Sequence, residues 1–254
     1  NGEEIEIKEI VVENITEGMK KEVKKVRTAI EDFFVFPLIK TRHLSKWKLN
    51  GYIYTLQMQD PKKRIGYDER WVKVNFPKTY AYLKSFEDVI RKRGSRVVRQ
   101  LMEKGPFYSM YAVGKYTFSP YKVVWNRIGS KITACVISQV KDEILGERII
   151  LPSENTTFIP TESKNEAHFI CSILNSSIVD LMTKSISGGS GFTSFGTPKI
   201  IEETIRIPKF DANNEVHRKL AELSRKAHEL ASKEEEEELR VIEKEIDSEV
   251  ARLF

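Results

Sequence analysis

The stretch Phe36-Pro37-Leu38-Ile39-Lys40-Thr41-Arg42-His43-Leu44-Ser45-Lys46-Trp47 turns from apolar to basic within one short run. Phe33, Phe34 and Val35 extend its apolar side, so it reads as a strand that feeds a basic turn. Lys40, Arg42, Lys46 and Lys48 follow, with the Trp47 indole among them. An apolar anchor with spaced cations and an aromatic can hold a basic surface against a polyanion. Basic strand ends also occur without any ligand, so charge alone leaves both readings open.

Working outward, a chain of 254 residues, 40% hydrophobic and 31% charged, has enough apolar material for one large domain, or a domain with an appendage. No apolar run reaches the ~18 residues of a membrane helix. The start, Asn1-Gly2-Glu3-Glu4, does not read as a signal peptide, and a soluble, cytoplasmic protein with no membrane partner is expected. Cys135 and Cys171 are too few for a disulfide framework and have no paired metal spacing, so both are expected in the core. The net charge of +5 hides an asymmetry: Thr41 to Lys131 holds 20 Lys and Arg against 6 Asp and Glu, whereas Asp211 to Phe254 holds 8 against 13. The basic middle is either a collector of phosphate contacts or a solvated, charge-rich surface.

Near the N-terminus, Ile5, Ile7 and Ile10-Val11-Val12 alternate as in a strand, while Met19 to Ile30 fits a basic helix or a further strand. Gly51-Tyr52-Ile53-Tyr54 favours a strand and Asp60-Pro61-Lys62-Lys63 a turn. From Pro77, the spacing of Tyr80, Leu83, Phe86 and Ile90 predicts a helix running into Arg91-Lys92-Arg93-Gly94-Ser95-Arg96. Cations at a helix C-terminus are favoured by its dipole without a ligand, yet arginine forks also match phosphate. Tyr116 to Trp125 is aromatic and β-branched, a strand whose Tyr121 and Trp125 suit a core. Ser163 and Glu166 form a capping box ahead of one helical stripe from Ala167 to Met182. Gly188 to Lys199 is a polar, Gly-rich loop. It is not a P-loop, because Thr197-Pro198 stands where Lys-Thr would be needed. It is either a connector or a loop bearing Ser190, Thr193, Ser194 and Lys199 against DNA. Val216, Leu220, Leu223, Ala227 and Leu230 make a heptad seam; Glu234 to Glu238 breaks it, and a second helix follows. His217 and His228 are surface residues by default, about 16 Å apart by helix rise and so too far for one metal ion.

Three ordered blocks resemble a known family. Glu31-Asp32, then Phe36-Pro37-Leu38-Ile39, then Thr41-Arg42-His43 leading to Lys46-Trp47 is similar to the start of the C-terminal specificity region of TaqI-like and type IIG restriction-modification adenine DNA methyltransferases. His43 stands where that family tends to have Asp. Tyr121-Lys122-Val123-Val124-Trp125 resembles a second segment of the same region, and Ile173-Leu174-Asn175-Ser176 its "LLNS" helix. The Gly-rich loop followed by an Ile205-Arg206-Ile207-Pro208 strand also looks like the recognition domains of type I specificity subunits.

The resemblance implies an α+β fold, a twisted mixed or antiparallel sheet with packed helices and a C-terminal helical appendage. It divides the chain into a lead-in at 1–30, a target-recognition domain at 31–210 and a helical segment at 211–254. It implies a partner in double-stranded DNA, docked in the major groove, and a second partner in the methyltransferase catalytic domain of a parent protein. That domain, rather than this chain, would hold S-adenosylmethionine. The residues agree: an adenine methyltransferase needs a [D/N/S]-P-P-[Y/F/W] loop to grip the flipped base, no Pro-Pro occurs, and Ser119-Pro120-Tyr121 has only one proline. No catalytic, cofactor or metal residue is therefore expected, and the chain is not expected to be an enzyme on its own. DNA contacts are expected from Arg42, Lys46, Lys48, Arg91, Arg93, Arg96, Lys122, Arg127, Lys131, Ser190, Thr193, Ser194 and Lys199. Two alternatives stand beside this: an assembly module using the C-terminal helices, and a small metal-dependent nuclease built on Asp142 with Glu162-Ser163-Lys164.

Overall fold

A computed structural model describes residues 7–19, 22–92, 94–185, 193–196 and 200–254. The chain forms two compact units. Unit 1 takes in Asn1–Phe36, Tyr54–Phe118 and Lys141–Glu147; unit 2 takes in Pro37–Ile53, Ser119–Val140 and Arg148–Phe254. The opening stretch is thus where the chain first passes from one unit to the other. The fold is α+β, as expected.

In unit 1, strands β1 (Glu9–Glu13) and β2 (Arg27–Glu31) pair antiparallel with Ile10 opposite Ile30. Period-2 patterning thus decides the end of the ambiguous Met19 to Ile30 segment for a strand: Ile30 is fully buried, in one cluster with Val35 and Leu145. A short hairpin, β3 (Gln59–Asp60) and β4 (Ile65–Gly66), carries the predicted turn. There the Asp60 carboxylate accepts from the N–H groups of Lys62 and Lys63 at 2.8 and 3.1 Å. Four short helices follow: α1 (Glu69–Asn75), α2 (Pro77–Lys84), α3 (Glu87–Arg91) and α4 (Arg96–Lys104). The helix predicted from Pro77 to Ile90 is therefore divided at Ser85-Phe86. Glu31 meets the N-terminus of α2, accepting from the N–H of Lys78 at 3.0 Å and of Thr79 at 2.7 Å, and from the Thr79 hydroxyl at 2.6 Å. Burial alone would raise its pKa, but these donors outweigh it and hold it below the usual range. Phe34, Met58, Val72, Phe76, Leu83, Phe107 and Tyr108 form the core.

Unit 2 is built on β5 (Tyr121–Asn126), the central strand of an antiparallel three-stranded sheet. The two-residue strand β6 (Ile128–Gly129) follows; β7 (Ala134–Ile137) and β8 (Thr156–Thr161) flank β5, both with Val123 as a register point, opposite Val136 and Ile159. Leu38-Ile39 pairs parallel with Leu151-Pro152, which makes the strand pairing of the chain mixed. Helix α5 (Lys164–Leu174) packs on this sheet and is buried from Ala167 to Leu174. Its cap is half the predicted box: Ser163 Oγ accepts from the Glu166 N–H at 3.2 Å, but the Glu166 carboxylate takes the Thr161 hydroxyl instead. The single helical stripe predicted to Met182 is two helices, α5 and α6 (Ser177–Ser185). They are split because the buried Asn175 side chain pairs with both the N–H and the C=O of Ala134, at 2.9 and 2.8 Å.

Strand β9 (Thr193–Ser194) pairs with β6. The expected Ile205 to Pro208 strand does not form. Ile200–Ile205 is one π-helical turn that buries Ile200 and Ile205, and Arg206 takes a left-handed φ of 54°. Helices α7 (Glu215–Lys233) and α8 (Glu236–Val250) separate where the acidic run begins, with Glu234 at φ 61° as the left-handed cap. Their seam packs on α5, so His217 is buried, not on the surface: its ring lies 4.4 Å from Phe169 and its Nδ1 accepts from the Asp211 N–H at 3.0 Å. Cys135 and Cys171 are both buried in unit 2. Among the described residues no helix is long and apolar enough to cross a membrane.

Candidate nucleic-acid interface

At one end of the unit 2 sheet, β5 ends in Asn126, and this side chain organises the loop that follows. Its Nδ2 donates to the carbonyls of Ile128 and Lys131 at 3.2 and 2.9 Å, and its Oδ1 accepts from the Thr133 N–H at 2.7 Å. Gly129 is required by that contact, since a β-carbon there would sit 2.4 Å from Asn126 Nδ2. The loop so formed presents Arg127 and Lys131, both exposed, and Ile128, which is 62% exposed. Thr193 and Ser194 lie against it through β9, and the Phe195 N–H donates to the Arg127 carbonyl at 2.7 Å. Phe195 is buried, and its carbonyl accepts from Trp125 Nε1 at 3.1 Å. Phe195 of the Gly-rich segment is therefore tied to the core at Trp125. Gly196 lies close enough to Arg127 that a β-carbon there would meet Cγ at 2.7 Å. Ser190 and Lys199 lie outside the described residues.

The same end of the sheet receives the basic turn. In the tight turn before β8, the N–H and the hydroxyl of Thr156 donate to the Ser153 carbonyl at 3.1 and 2.7 Å. Arg127 Nη1 donates to the Glu154 carbonyl at 3.2 Å, and the Thr41 hydroxyl donates to the Asn155 carbonyl at 2.7 Å. Two consecutive carbonyls thus bring Arg127 beside the 3-10 turn Thr41–His43, which carries Arg42. His43, which sequence reasoning could not assign, closes that turn: it is buried, and its Nδ1 accepts from the Lys40 N–H at 3.1 Å. Burial first, then the charges of Arg42 and Lys40, lowers its pKa and keeps the ring neutral. A neutral imidazole accepts at one nitrogen only, so the Lys40 N–H at Nδ1 and Arg42 Nε, 3.2 Å from Nε2, compete for it. Arg42 itself is exposed.

The remaining expected cations of unit 2 are placed elsewhere. Lys46 pairs with Glu243 at 2.7 Å and Lys48 with Glu234 at 2.9 Å, carboxylates of α8 and of the break before it. Glu243 also accepts from Trp47 Nε1 at 2.8 Å, so the indole is a buried anchor for α8. Lys46 and Lys131 share a cavity of about 220 Å³ whose other charged residues are Asp180, Glu243 and Asp247. Lys122 is 0% exposed, and its Nζ donates to the Ser119 carbonyl at 2.7 Å. Burial pushes its pKa down to about 8, with Glu162 opposing the shift. Expected as a phosphate contact at a strand end, it is instead an interior residue, because β5 is covered on both faces.

In unit 1, the Arg91 guanidinium is bound to Glu87 at 2.7 and 2.8 Å and lies 5.7 Å from the Phe107 ring, a position that packing and a local partner explain. Arg93 lies outside the described residues. Arg96 is exposed at the first position of α4, behind the Ser95 cap. There the helix dipole disfavours a cation, so the dipole argument made for this cluster covers Arg91 but not Arg96.

No family model matches the chain. Over 152 residues it is 28% identical to the type II methyltransferase M.NspV of Nostoc sp. (strain ATCC 29411 / PCC 7524). The chain is a distant, partial relative of a type II DNA methyltransferase. The match takes in 59% of this chain and 29% of that protein, so the chain spans less than a third of the relative's length.

Among the described residues, no three His, Cys, Asp or Glu side chains are grouped to hold a metal ion. Asp142, named for a nuclease site, accepts from the N–H groups of Ile144 and Leu145 at 2.9 and 2.8 Å and from the Tyr54 hydroxyl at 2.8 Å. Sequence reasoning gave no role to Asn126, Thr41 or His43, which shape this end of the sheet without presenting charge. A polar residue at the end of a strand, followed three residues later by glycine, was the available signal for Asn126.

Proposed function

We propose that this chain is the DNA target-recognition part of a larger restriction-modification adenine methyltransferase. The observation that carries this reading is the gathering, at one end of the unit 2 sheet, of residues from three separate sequence blocks: Arg42, Arg127, and Thr193 with Ser194. Thr41, which precedes Arg42, and Arg127 hold consecutive carbonyls of one turn, and the two arginines offer guanidinium forks suited to phosphates or guanine edges. Thr193 and Ser194 supply hydroxyls beside them, and Ile128 an exposed apolar contact of the kind that meets a thymine methyl. The partial relationship to a type II methyltransferase supports the same reading. On it, the partners are double-stranded DNA and a catalytic domain that holds S-adenosylmethionine and performs methyl transfer. Lys122 has no part, and Arg96 supplies a peripheral phosphate contact.

The test is duplex binding across a salt series by the whole chain and by an Arg42→Ala/Arg127→Ala variant. Losing two phosphate contacts lowers the log–log salt slope by about 2 and the affinity by at least about tenfold. Arg91→Ala, which removes a cation already held by Glu87, leaves the slope unchanged. An unaltered slope and affinity in the double variant would overturn the assignment.

A further inference from the structure

We propose that a cavity of about 300 Å³ in unit 1 binds a nucleotide, its base against Tyr111 and Tyr116 and its phosphate on Arg64. Val97, Leu101 and Met110 give the cavity an apolar lining. Tyr111 is 61% exposed at its rim, an aromatic face that folding leaves uncovered. The Arg64 guanidinium lies 5.7 Å from the Tyr116 ring centre. Among the described residues no carboxylate lines the cavity and Arg64 is its one charged residue, a balance that selects an anion over a cation. Gln59 is buried, and its Oε1 accepts from the Met110 N–H at 2.8 Å, which leaves the amide NH2 to donate. A planar ring, a negative group and a hydrogen-bond acceptor are what these side chains match together, and a nucleotide carries all three.

The backbone supplies an independent reason. Five non-glycine residues among those described have left-handed φ, and two of them, Arg64 at 58° and Ala112 at 57°, line this one cavity. Arg64 closes the turn between β3 and β4, its N–H donating to the Asp60 carbonyl at 2.8 Å. Glycine or asparagine would serve that turn with less strain, so the turn does not explain the guanidinium. Strain of this kind gathers where a side chain is held for binding. Gly114 completes the arrangement: a β-carbon there would lie 2.8 Å from the Tyr116 ring and 3.2 Å from Arg64 Nε.

This site goes beyond the duplex reading and uses neither Arg42 nor Arg127. The whole chain is titrated calorimetrically with dAMP, with dTMP and with a short single-stranded oligonucleotide, then again as Arg64→Gly and as Tyr111→Ala. Arg64→Gly relaxes the left-handed backbone, so the fold is kept while the cation is lost. Saturable binding of at least one probe is expected, weakened about tenfold or more in each variant and unchanged for the monophosphates in Arg42→Ala/Arg127→Ala. Binding of a monophosphate identifies a free nucleotide as sufficient; binding of the oligonucleotide alone assigns the site to a nucleotide within a strand. The proposal is overturned if no probe saturates, or if Arg64→Gly binds as the parent does. Nucleotide binding here together with an unchanged duplex slope in the other test would sink the duplex reading alone.

Discussion

Lowering the pH from 7 to 5 should destabilise unit 2 by about 4 kcal/mol through one pair of histidines. His168 and His228 meet edge to face with ring centres 4.9 Å apart, and the Trp47 ring lies 5.5 Å from His228. The Val136 N–H donates to His228 Nε2 at 3.0 Å, so the Nδ1 proton is the one that goes to the Ser224 carbonyl at 2.7 Å. His168 Nδ1 is 3.1 Å from the Ser224 hydroxyl. Burial first, then the neighbouring charges of His228, Arg225 and Lys164, pushes His168 down to about 3; burial pushes His228 down to about 4. The unfolded chain takes up these protons near pH 6.5 and the folded chain does not. Stability from the pair is therefore full above 6.5 and is lost as pH falls from there towards 4 and 3. At pH 5 each histidine has lost about 2 kcal/mol, from 1.36 kcal/mol per unit over the 1.5 units below 6.5. His43 and His217, also lowered, add to the loss in the same direction. Glu31 contributes only lower down, because a depressed carboxylate loses its stabilisation below its ordinary value of 4.5. Urea unfolding followed by tryptophan fluorescence at pH 7 and pH 5 measures the difference. His168→Gln should reduce the difference by about 2 kcal/mol while keeping a partner for Ser224. If the pH 7 to pH 5 difference is the same in His168→Gln as in the parent chain, this account of the pair is wrong.

Two further outcomes follow from the unit 2 sheet. Replacing the interior Lys122 by Met removes a group whose charging costs about 3 kcal/mol below pH 8, from 1.36 kcal/mol per unit of the fall from 10.5 to about 8. Against this stands the lost bond to Ser119, about 1.5 kcal/mol, so the variant should be about 1–2 kcal/mol more stable at pH 7. That advantage should vanish by pH 10.5, where the unfolded lysine also discharges; thermal melts at the two pH values check it, and a less stable variant at pH 7 would contradict it. Gly129→Ala drives a methyl into the Asn126 amide, so about 2 kcal/mol or more of stability and part of the duplex affinity should be lost, with Asn126→Ala giving a similar deficit by the same melt.

What the sequence made legible was local. The aromatic and β-branched run at Tyr121 to Trp125 is a strand, the Ser163 cap starts a helix, and the last two helices divide within the acidic run, at Glu234-Glu235. Each of these depends on neighbours within a few residues. Lys122 was misread because period-2 patterning shows alternation, not coverage. Val123 and Trp125 pack in one cluster while Val124 packs in another, so both faces of β5 are closed by elements distant in sequence. The buried histidines were unreadable for the same reason, since His168 meets Ser224 and His228 across the packing of α5 on α7. Arg42 and Arg127 were each singled out as cations, yet only the turn at Ser153 to Thr156, which holds Thr41 at Asn155 and Arg127 at Glu154, ties their two segments together.

The basic middle of the chain is therefore a poor measure of its capacity to bind a polyanion. Four of the expected cations already have partners in the protein: Lys46 pairs with Glu243, Lys48 with Glu234 and Arg91 with Glu87, and Lys122 is buried in the interior. Two of the three carboxylates come from the acidic C-terminal region, so the charge asymmetry between middle and tail is partly cancelled by the fold itself. Such exposed pairs add little stability, but they decide where a positive charge is already partnered. Among the described residues, neither Arg42 nor Arg127 is paired with a carboxylate: Arg127 Nη1 donates to the Glu154 carbonyl and Arg42 Nε lies 3.2 Å from His43 Nε2. A phosphate reaching that turn meets two guanidinium groups without displacing a carboxylate, whereas one reaching Lys46 or Lys48 must compete with Glu243 or Glu234. The opening stretch thus has two halves with different work: Arg42 faces outward, and Lys46-Trp47-Lys48 fastens the C-terminal helices.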